Sequence, residues 1–451
     1  MSERKKIYLC LAHMSEAGLE QKYINEAFAT NWVVPLGPNV DAFEADLEAF
    51  VGQDKRVVAL SSGTAAVHLG LLMAGVKAGD EVLAQSFTFC ASTHPITYLG
   101  ATPVLIDSEP GTWNMDPDLL EEAIRDRIAK TGRKPAAIVP VALYGMPYQV
   151  ERIMEIANRY DIPVVEDAAE GFGSRYKGQV LGTFGKYGVL SFNGNKIITT
   201  SGGGALITDS DEAWQECMMY ATQYRESYPY YQHEKIGYNY RMSNICAGIG
   251  RGQMTVAEEH LKHHKHVQKL YEELLADVPG IRVHSQPMVR QAHQPSIADP
   301  KLAEGAVPEL AEGAVPELVE GPVYDSNYWL TTITIDPEVR VKGQEDAYKT
   351  MVTGPVGGVA GVIHTASSIT TDCQPNDNVE ALRIALDQAA VESRPVWKPM
   401  HKQPVYASVP AYVNGVSESV FKVGVCLPTG PCVSDDDVRY IVDIIKASIK
   451  S

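Results

Sequence analysis

The chain is short of positive charge: 39 lysines and arginines face 56 aspartates and glutamates, leaving a formal net charge of −17 over 451 residues. A surface of that sign repels polyanions on average, which speaks against nucleic acid as a partner. Long apolar runs are also missing: no stretch reaches the roughly 18 consecutive apolar residues that a membrane helix needs. The opening MSERKKIYLC has charges but no apolar segment behind it, so neither a signal peptide nor a membrane partner is expected. Cysteine is sparse, with seven residues (10, 90, 217, 246, 373, 426 and 432), an odd count without a CxxC pair. Reduced thiols in a cytoplasmic protein fit that count better than a disulfide framework or a structural zinc. Apolar material itself is not lacking, since 45% of residues are hydrophobic and 8% aromatic, which excludes global disorder. The length suits one large domain and a smaller one.

From about residue 56 to 210, short β-branched runs alternate with helix-like stretches. The runs are RVVAL (56–60), EVLAQ (81–85), PVLID (103–107), AAIVPVAL (136–143), PVVED (163–167) and YGVLSF (187–192). Between them lie AAVHLGLLMAGV (65–76), DLLEEAIRDRIAKT (118–131) and QVERIMEIANRY (149–160), with apolar spacings of three and four. The alternation predicts βαβ crossovers: an α/β fold with a mostly parallel sheet and helices on both faces. Residues 253–277 read as a long amphipathic helix ended by Pro279-Gly280. That helix divides the chain into a large domain over 1–255, N-terminal arm included, and a smaller α/β domain over 256–451 that it bridges to. YWLTTITI (328–335) alternates like a half-buried strand, and DDDVRYIVDIIKASIK (435–450) reads as a helix with three aspartates at its positive end. One segment breaks the pattern. AEGAVPEL at 303–310 repeats at 311–318, and a proline in each copy forbids a continuous helix or a central strand. An exposed, mobile insertion is predicted over about 290–322.

Three places could carry chemistry. Ser61-Ser62-Gly63-Thr64 sits between a strand and a helix, where backbone N–H groups and the positive helix end can cradle a phosphate, or where small residues merely turn the chain. Asp167, after the apolar IPVV and Glu166, should end a buried strand at the edge where open α/β sheets bind ligands. Its charge could pair with a protonated ring nitrogen of a cofactor or cap the following segment. Lys196, in SFNGNKIITTSGGG (191–204), follows an apolar strand. Its amine could form a Schiff base with an aldehyde cofactor, or it could be a surface loop lysine. Ser201-Gly202-Gly203-Gly204 is not GxGxxG and opens no helix, so a nicotinamide-dependent dehydrogenase is a poor alternative.

The order SSGTAAVHL, SFTFCAS, VVEDAAEGFGS, SFNGNKIITTSGGG, GYNYRMSNICAGIG resembles the DegT/DnrJ/EryC1/StrS family of sugar aminotransferases, from about residue 7 to the C-terminus with only the repeat intervening. The resemblance implies the aspartate-aminotransferase architecture, fold type I, with pyridoxal 5′-phosphate as cofactor. It makes Lys196 the catalytic lysine, covalently holding the cofactor and moving the proton, and Asp167 the partner of the pyridinium nitrogen. Gly63, Thr64 and Ser191 match the phosphate cradle and Phe89 the aromatic that stacks on the ring. Glu170 stands near the ring oxygen. Asn239 matches an asparagine that reaches the phosphate of a neighbouring subunit, which implies a homodimer with shared sites.

ESRPVWKPMHKQPV (392–405) and GVCLPTG (424–430) look like the subgroup that aminates UDP-linked 4-keto-6-deoxy-N-acetylhexosamines with L-glutamate as donor. There Arg394, Lys398 and His401 would meet the diphosphate, Trp397 would flank a ring, and Asn193 would touch substrate. A same-fold sugar dehydratase would carry histidine in place of Lys196, and a non-catalytic sensor lacks support in the acidic charge. Two further signals are set aside. His260, His263 and His264 lack carboxylate or cysteine companions and are predicted to lie on a solvated helix face, with no metal site. The tyrosine-rich stretch 220–240 has only Arg225, Lys235 and Arg241 for cations, and reads as dimer packing rather than as a nucleic-acid platform.

Overall fold

The computed structural model describes residues 5–287, 323–348 and 373–449. The repeat insertion predicted over 290–322 lies outside them. In chain order the strands begin β1 (Arg56–Leu60), β2 (Glu81–Gln85), β3 (Thr102–Ile106), β4 (Ala137–Val139) and β5 (Val165–Asp167). A short hairpin, β6 (Arg175–Tyr176) and β7 (Gln179–Val180), precedes β8 (Tyr187–Ser191) and β9 (Gly204–Thr208). The C-terminal half adds β10 (Ile281–Val283), β11 (Tyr324–Asp325), β12 (Thr331–Ile335), β13 (Arg394–Pro395), β14 (Ala411–Tyr412) and β15 (Gly424–Leu427).

The large sheet runs β1-β9-β8-β5 and continues, through the bridges Ile138–Val164 and Val141–Asp167, into β4-β2-β3-β14. From β8 to β14 all neighbours are parallel, and only β9 runs antiparallel, to β1 and to β8. The mostly parallel α/β sheet read from the sequence is therefore the one that forms. The antiparallel step has a local cause. Ser191 pairs with Gly204, so residues 192–203 form a loop anchored at both ends, and Lys196 is on it.

The helix Gly63–Met73 lies against β8 and β9 with nearly every residue buried, which explains its apolar composition on all sides. Ser62 caps it, its hydroxyl accepting from Ala65 N at 3.0 Å. The second sheet, β10-β12-β15-β13, is antiparallel throughout. The helices Ala257–Leu275, Asp377–Gln388 and Asp435–Ser448 enclose its own core around Val267, Tyr271, Ile333, Leu382 and Ile441. The two parts are stitched more than once: Ile7 bridges to Val391, and β14 returns from the C-terminal region to pair with β3.

The helix Ala257–Leu275 overturns one expectation. His260 and His264 are not on a solvated face; they are 4% and 0% exposed. Positions 260, 264, 267, 271 and 275 form one helical stripe, and Val267, Tyr271 and Leu275 on it are buried with them. His260 Nδ1 lies 3.0 Å from Ile197 O, and His264 Nδ1 lies 3.2 Å from Tyr328 O, so each ring is tied to backbone. No group of three or more His, Cys, Asp or Glu among the described residues could hold a metal ion. No helix among them is long and apolar enough to cross a membrane.

Those rings make stability depend on pH. Burial holds His264 down to about 3 and His284, stacked on Trp113, down to about 4. Unfolded histidines take up protons near pH 6.5, so this contribution is complete above that value and is lost as the pH falls toward 4, at about 1.4 kcal/mol per histidine and pH unit. The urea midpoint should drop between pH 7.5 and 5.0, and the drop should shrink in His264→Gln. An unchanged drop would assign it to other groups.

Candidate active site

A cavity of about 330 Å³ opens at the carboxyl edge of β5 and β8, and the loop from 192 to 203 forms one wall. The helix Gly63–Met73 points its N-terminus at it, with Ser61, Ser62, Gly63 and Thr64 in the lining. Helix starts carry unsatisfied N–H groups and partial positive charge, the two properties an anion needs. The backbone here is drawn in tightly. A Cβ on Gly63 would come within 3.0 Å of Ser191 Cβ, and one on Gly204 would strike Gly63 N.

Asp167 ends β5 at 4% exposure. Its Oδ2 accepts from Ser92 Oγ at 2.7 Å and its Oδ1 from Ala169 N at 3.1 Å, both neutral donors. Burial pushes the carboxyl up from its ordinary value, while Ser92, Ala169 and Lys196 draw it back. Such a group is incompletely compensated until a cation arrives.

Lys196 faces it across the cavity, its side chain only 13% exposed. Its Nζ stands 3.8 Å from the centroid of the Trp329 ring and 3.7 Å from Glu170 Oε1. Burial lowers the amine below the usual lysine range, and the Glu170 and Asp167 carboxylates oppose that shift. The loop holds its shape because Trp329 Nε1 donates to Asn195 O at 2.6 Å and Lys196 N to Asn193 O at 3.0 Å. Asn327 in turn fixes Trp329, accepting from its amide at 2.8 Å while donating to Glu170 O at 2.9 Å.

A second cavity, of about 370 Å³, adjoins the first and shares Thr88, Phe89 and Trp397 with it. His94, Lys398, Gln403 and Tyr406 add to its walls.

The structure thus gathers Gly63, Thr64, Phe89, Asp167, Glu170, Ser191, Asn193, Lys196 and Trp397 around the first cavity, and Lys398 around the second. Arg394 and His401 lie outside both linings. Arg394 ends on β13, exposed and 3.3 Å from Glu392, and His401 Nδ1 is 2.7 Å from Ser86 Oγ, pinning the 397–403 segment to the end of β2. Asn239 is exposed and outside the cavity of its own chain. Its segment is fixed by Arg241, which clamps the Glu44 carboxylate with both terminal nitrogens in the interior. Trp329, Ser92 and Asn195 were not anticipated. YWLTTITI gave only the period of a strand, and nothing in it distinguishes the tryptophan that would meet a lysine more than a hundred residues earlier.

These residues suit pyridoxal phosphate. A glycine-tight helix start offers an anion cradle, a half-exposed Phe89 an aromatic face, a buried carboxylate a partner for a ring cation, and a desolvated amine the anchor. Fold and site together define a pyridoxal-phosphate-dependent aminotransferase of fold type I. The chain belongs to the DegT/DnrJ/EryC1/StrS aminotransferase family, whose sequence profile it matches over residues 15–323 and 347–446. EpsN of Bacillus subtilis, provisionally named as a pyridoxal phosphate-dependent aminotransferase, is 38% identical over 448 residues, covering 98% of this chain and 95% of its own. GDP-perosamine synthase of Escherichia coli O157:H7 is 29% identical over 440 residues, 97% of this chain and 98% of its own. A crystal structure of a DegT/DnrJ/EryC1/StrS aminotransferase from Brucella abortus superposes with a TM-score of 0.75 at 24% identity, over 96% of this chain and 95% of that one, and shares the fold.

Proposed function

We propose that this chain transfers the amino group of L-glutamate to a nucleotide-linked keto sugar, at C4 of a UDP-linked 2-acetamido-2,6-dideoxy-4-keto-hexose, for a bacterial surface glycan. The observation that carries the reading is the pair of joined cavities, one fitted to the cofactor and the other aromatic and cationic beside it. Trp397 and Phe89 stand between them, ring centroids 5.5 Å apart. A sugar reacting at the first cavity would send its diphosphate and base toward Lys398, His94, Gln403 and Tyr406. The UDP assignment itself is supported by the ESRPVWKPMHKQPV block.

Pyridoxal phosphate supplies an electrophilic aldehyde carbon and a ring that takes up the electron pair left when an amino acid loses its Cα proton. Lys196 would hold the group at that carbon through Nζ, and its desolvation keeps more of the amine unprotonated than in an exposed lysine. With glutamate in the site, the same Nζ would take the proton from glutamate Cα and later supply one to the carbon being aminated. Asp167 would keep the ring nitrogen protonated. Ser61 to Thr64 and Ser191 would hold the phosphate. Remote contacts in the second cavity orient the ketone, so their loss should slow turnover as well as weaken binding.

A GDP-linked 4-keto sugar is the second reading, favoured by the likeness to GDP-perosamine synthase over nearly the whole of both chains. A panel of UDP-, dTDP- and GDP-keto sugars decides between them. The UDP-4-keto compound should have the highest kcat/KM; a preference for GDP-4-keto or dTDP-3-keto compounds would overturn the substrate and leave the transaminase.

The working unit of this reading is a homodimer. Trp32, Val33, Val34 and Leu36 are exposed, as are Tyr228, Tyr230, Tyr231 and Ile236, apolar surface that a partner subunit would cover. Asn239 is exposed close in sequence to the second group and would complete the neighbour's phosphate site. Inactive Lys196→Ala and Asn239→Ala chains, mixed and re-paired, should regain part of the activity. Proven heterodimers without recovery would contradict shared sites.

A further inference from the structure

Tyr144 has a backbone more usual for glycine: φ 53° and ψ 20° place it in the left-handed region, where bulky side chains are rarely found. The residue is buried and its surroundings hold it there. Gly145, itself at φ 91°, lies so close to Asn327 Oδ1 that no Cβ would fit, and its carbonyl accepts from Ser174 Oγ at 2.7 Å. Strain of this kind persists where neighbours over-determine it, and it gathers at functional sites.

The conformation delivers two hydrogen bonds to different sides of the site. The Tyr144 amide donates to Glu170 Oε2 at 2.7 Å, and the other oxygen of that carboxylate faces Lys196 Nζ at 3.7 Å. The Tyr144 hydroxyl oxygen accepts from the Trp397 amide at 2.7 Å. Its ring stacks on both tryptophans of the site, 6.5 Å from Trp329 and 6.0 Å from Trp397 between centroids. Trp329 lies against Lys196, and Trp397 borders both cavities.

We propose that Tyr144 is a positioning residue for the transamination. It sets the Trp397 wall, against which the acceptor sugar lies, in register with the Lys196–Glu170 side where the proton moves. The inference rests on the nucleotide-sugar reading above. Tyr144 acts through Trp397 and Glu170, and its strained backbone is what lets one residue reach both.

The test is a tryptophan-fluorescence titration of the cofactor-loaded enzyme with UDP-N-acetylglucosamine, an unreactive analogue, or with GDP-mannose should the uridine compound not bind. Tyr144→Phe keeps the ring and removes the acceptor for the Trp397 amide. Its Kd should rise about tenfold, the scale of one lost buried hydrogen bond, and kcat/KM for the keto sugar should fall by a like factor. The glutamate half-reaction, followed by cofactor absorbance, should slow by less than about threefold. In the double variant with Trp397→Phe, the Kd should be no worse than for Trp397→Phe alone, because the position matters only through the indole. A Tyr144→Phe Kd within twofold of wild type, additive effects, or equal losses in both half-reactions with a lowered melting temperature would each overturn the proposal. Wild-type enzyme that bound neither nucleotide sugar would instead overturn the substrate reading, and the inference with it.

Discussion

Lys196→Ala should lose about 10⁴-fold in turnover, some 5 kcal/mol of barrier, because in the proposed mechanism one amine both anchors the cofactor and carries the proton. The loss should not be a folding defect. Lys196 sits on a loop closed by the Ser191–Gly204 pair, and its removal deletes a desolvated amine but also the cation facing Glu170, two changes of opposite sign, so the melting temperature without cofactor should stay near that of wild type. Borohydride applied to wild-type protein with pyridoxal phosphate should fix the cofactor onto a peptide containing Lys196 and leave the alanine variant unlabelled. Labelling of any other lysine would contradict the assignment.

The second large effect is expected at Asp167. Replaced by asparagine, the side chain keeps one acceptor oxygen for Ala169 N, and its amide nitrogen, standing where Oδ2 stood, can donate to Ser92 Oγ, whose hydroxyl then turns to Thr88 Oγ1. The negative charge is lost, and with it the means of holding a ring nitrogen protonated. Turnover should fall by about 10²- to 10³-fold, the scale of removing one preorganised electrostatic partner. Stability should move the other way. A buried carboxyl already pushed upward is a cost to the protein without cofactor, so Asp167→Asn should melt at the same or a higher temperature in that state. A large fall in melting temperature with activity retained would make Asp167 a structural residue.

The places of Lys196 and Asp167 were legible in the sequence for the same reason. Each comes soon after a largely apolar run, PVVE or VLSF, that reads as a buried strand, and strand ends in such sheets converge on one edge; their roles came from the resemblance. The cradle was legible because Ser-Ser-Gly-Thr stands between a strand and a helix. Trp329 and Tyr144 were not, because their roles depend on contacts across 134 and 253 residues of sequence. The two-residue strand β14 carries no period at all. The buried histidines were legible and misread: His260 and His264 continue the stripe of Val267, Tyr271 and Leu275, and the period outweighs the polarity of the ring. Arg394 shows the limit of composition. The block around it concentrates charge, yet β13 turns that guanidinium outward to Glu392 and leaves Lys398 in the cavity wall.

The most direct measurement of the central claim is mass spectrometry of a UDP-2-acetamido-2,6-dideoxy-4-keto-hexose incubated with the protein, pyridoxal phosphate and ¹⁵N-labelled L-glutamate. Amino transfer should give a UDP-amino sugar carrying the heavy nitrogen, with 2-oxoglutarate formed in equal amount and neither product made by Lys196→Ala. An unlabelled, dehydrated or unchanged sugar across UDP-, dTDP- and GDP-linked ketones would contradict it.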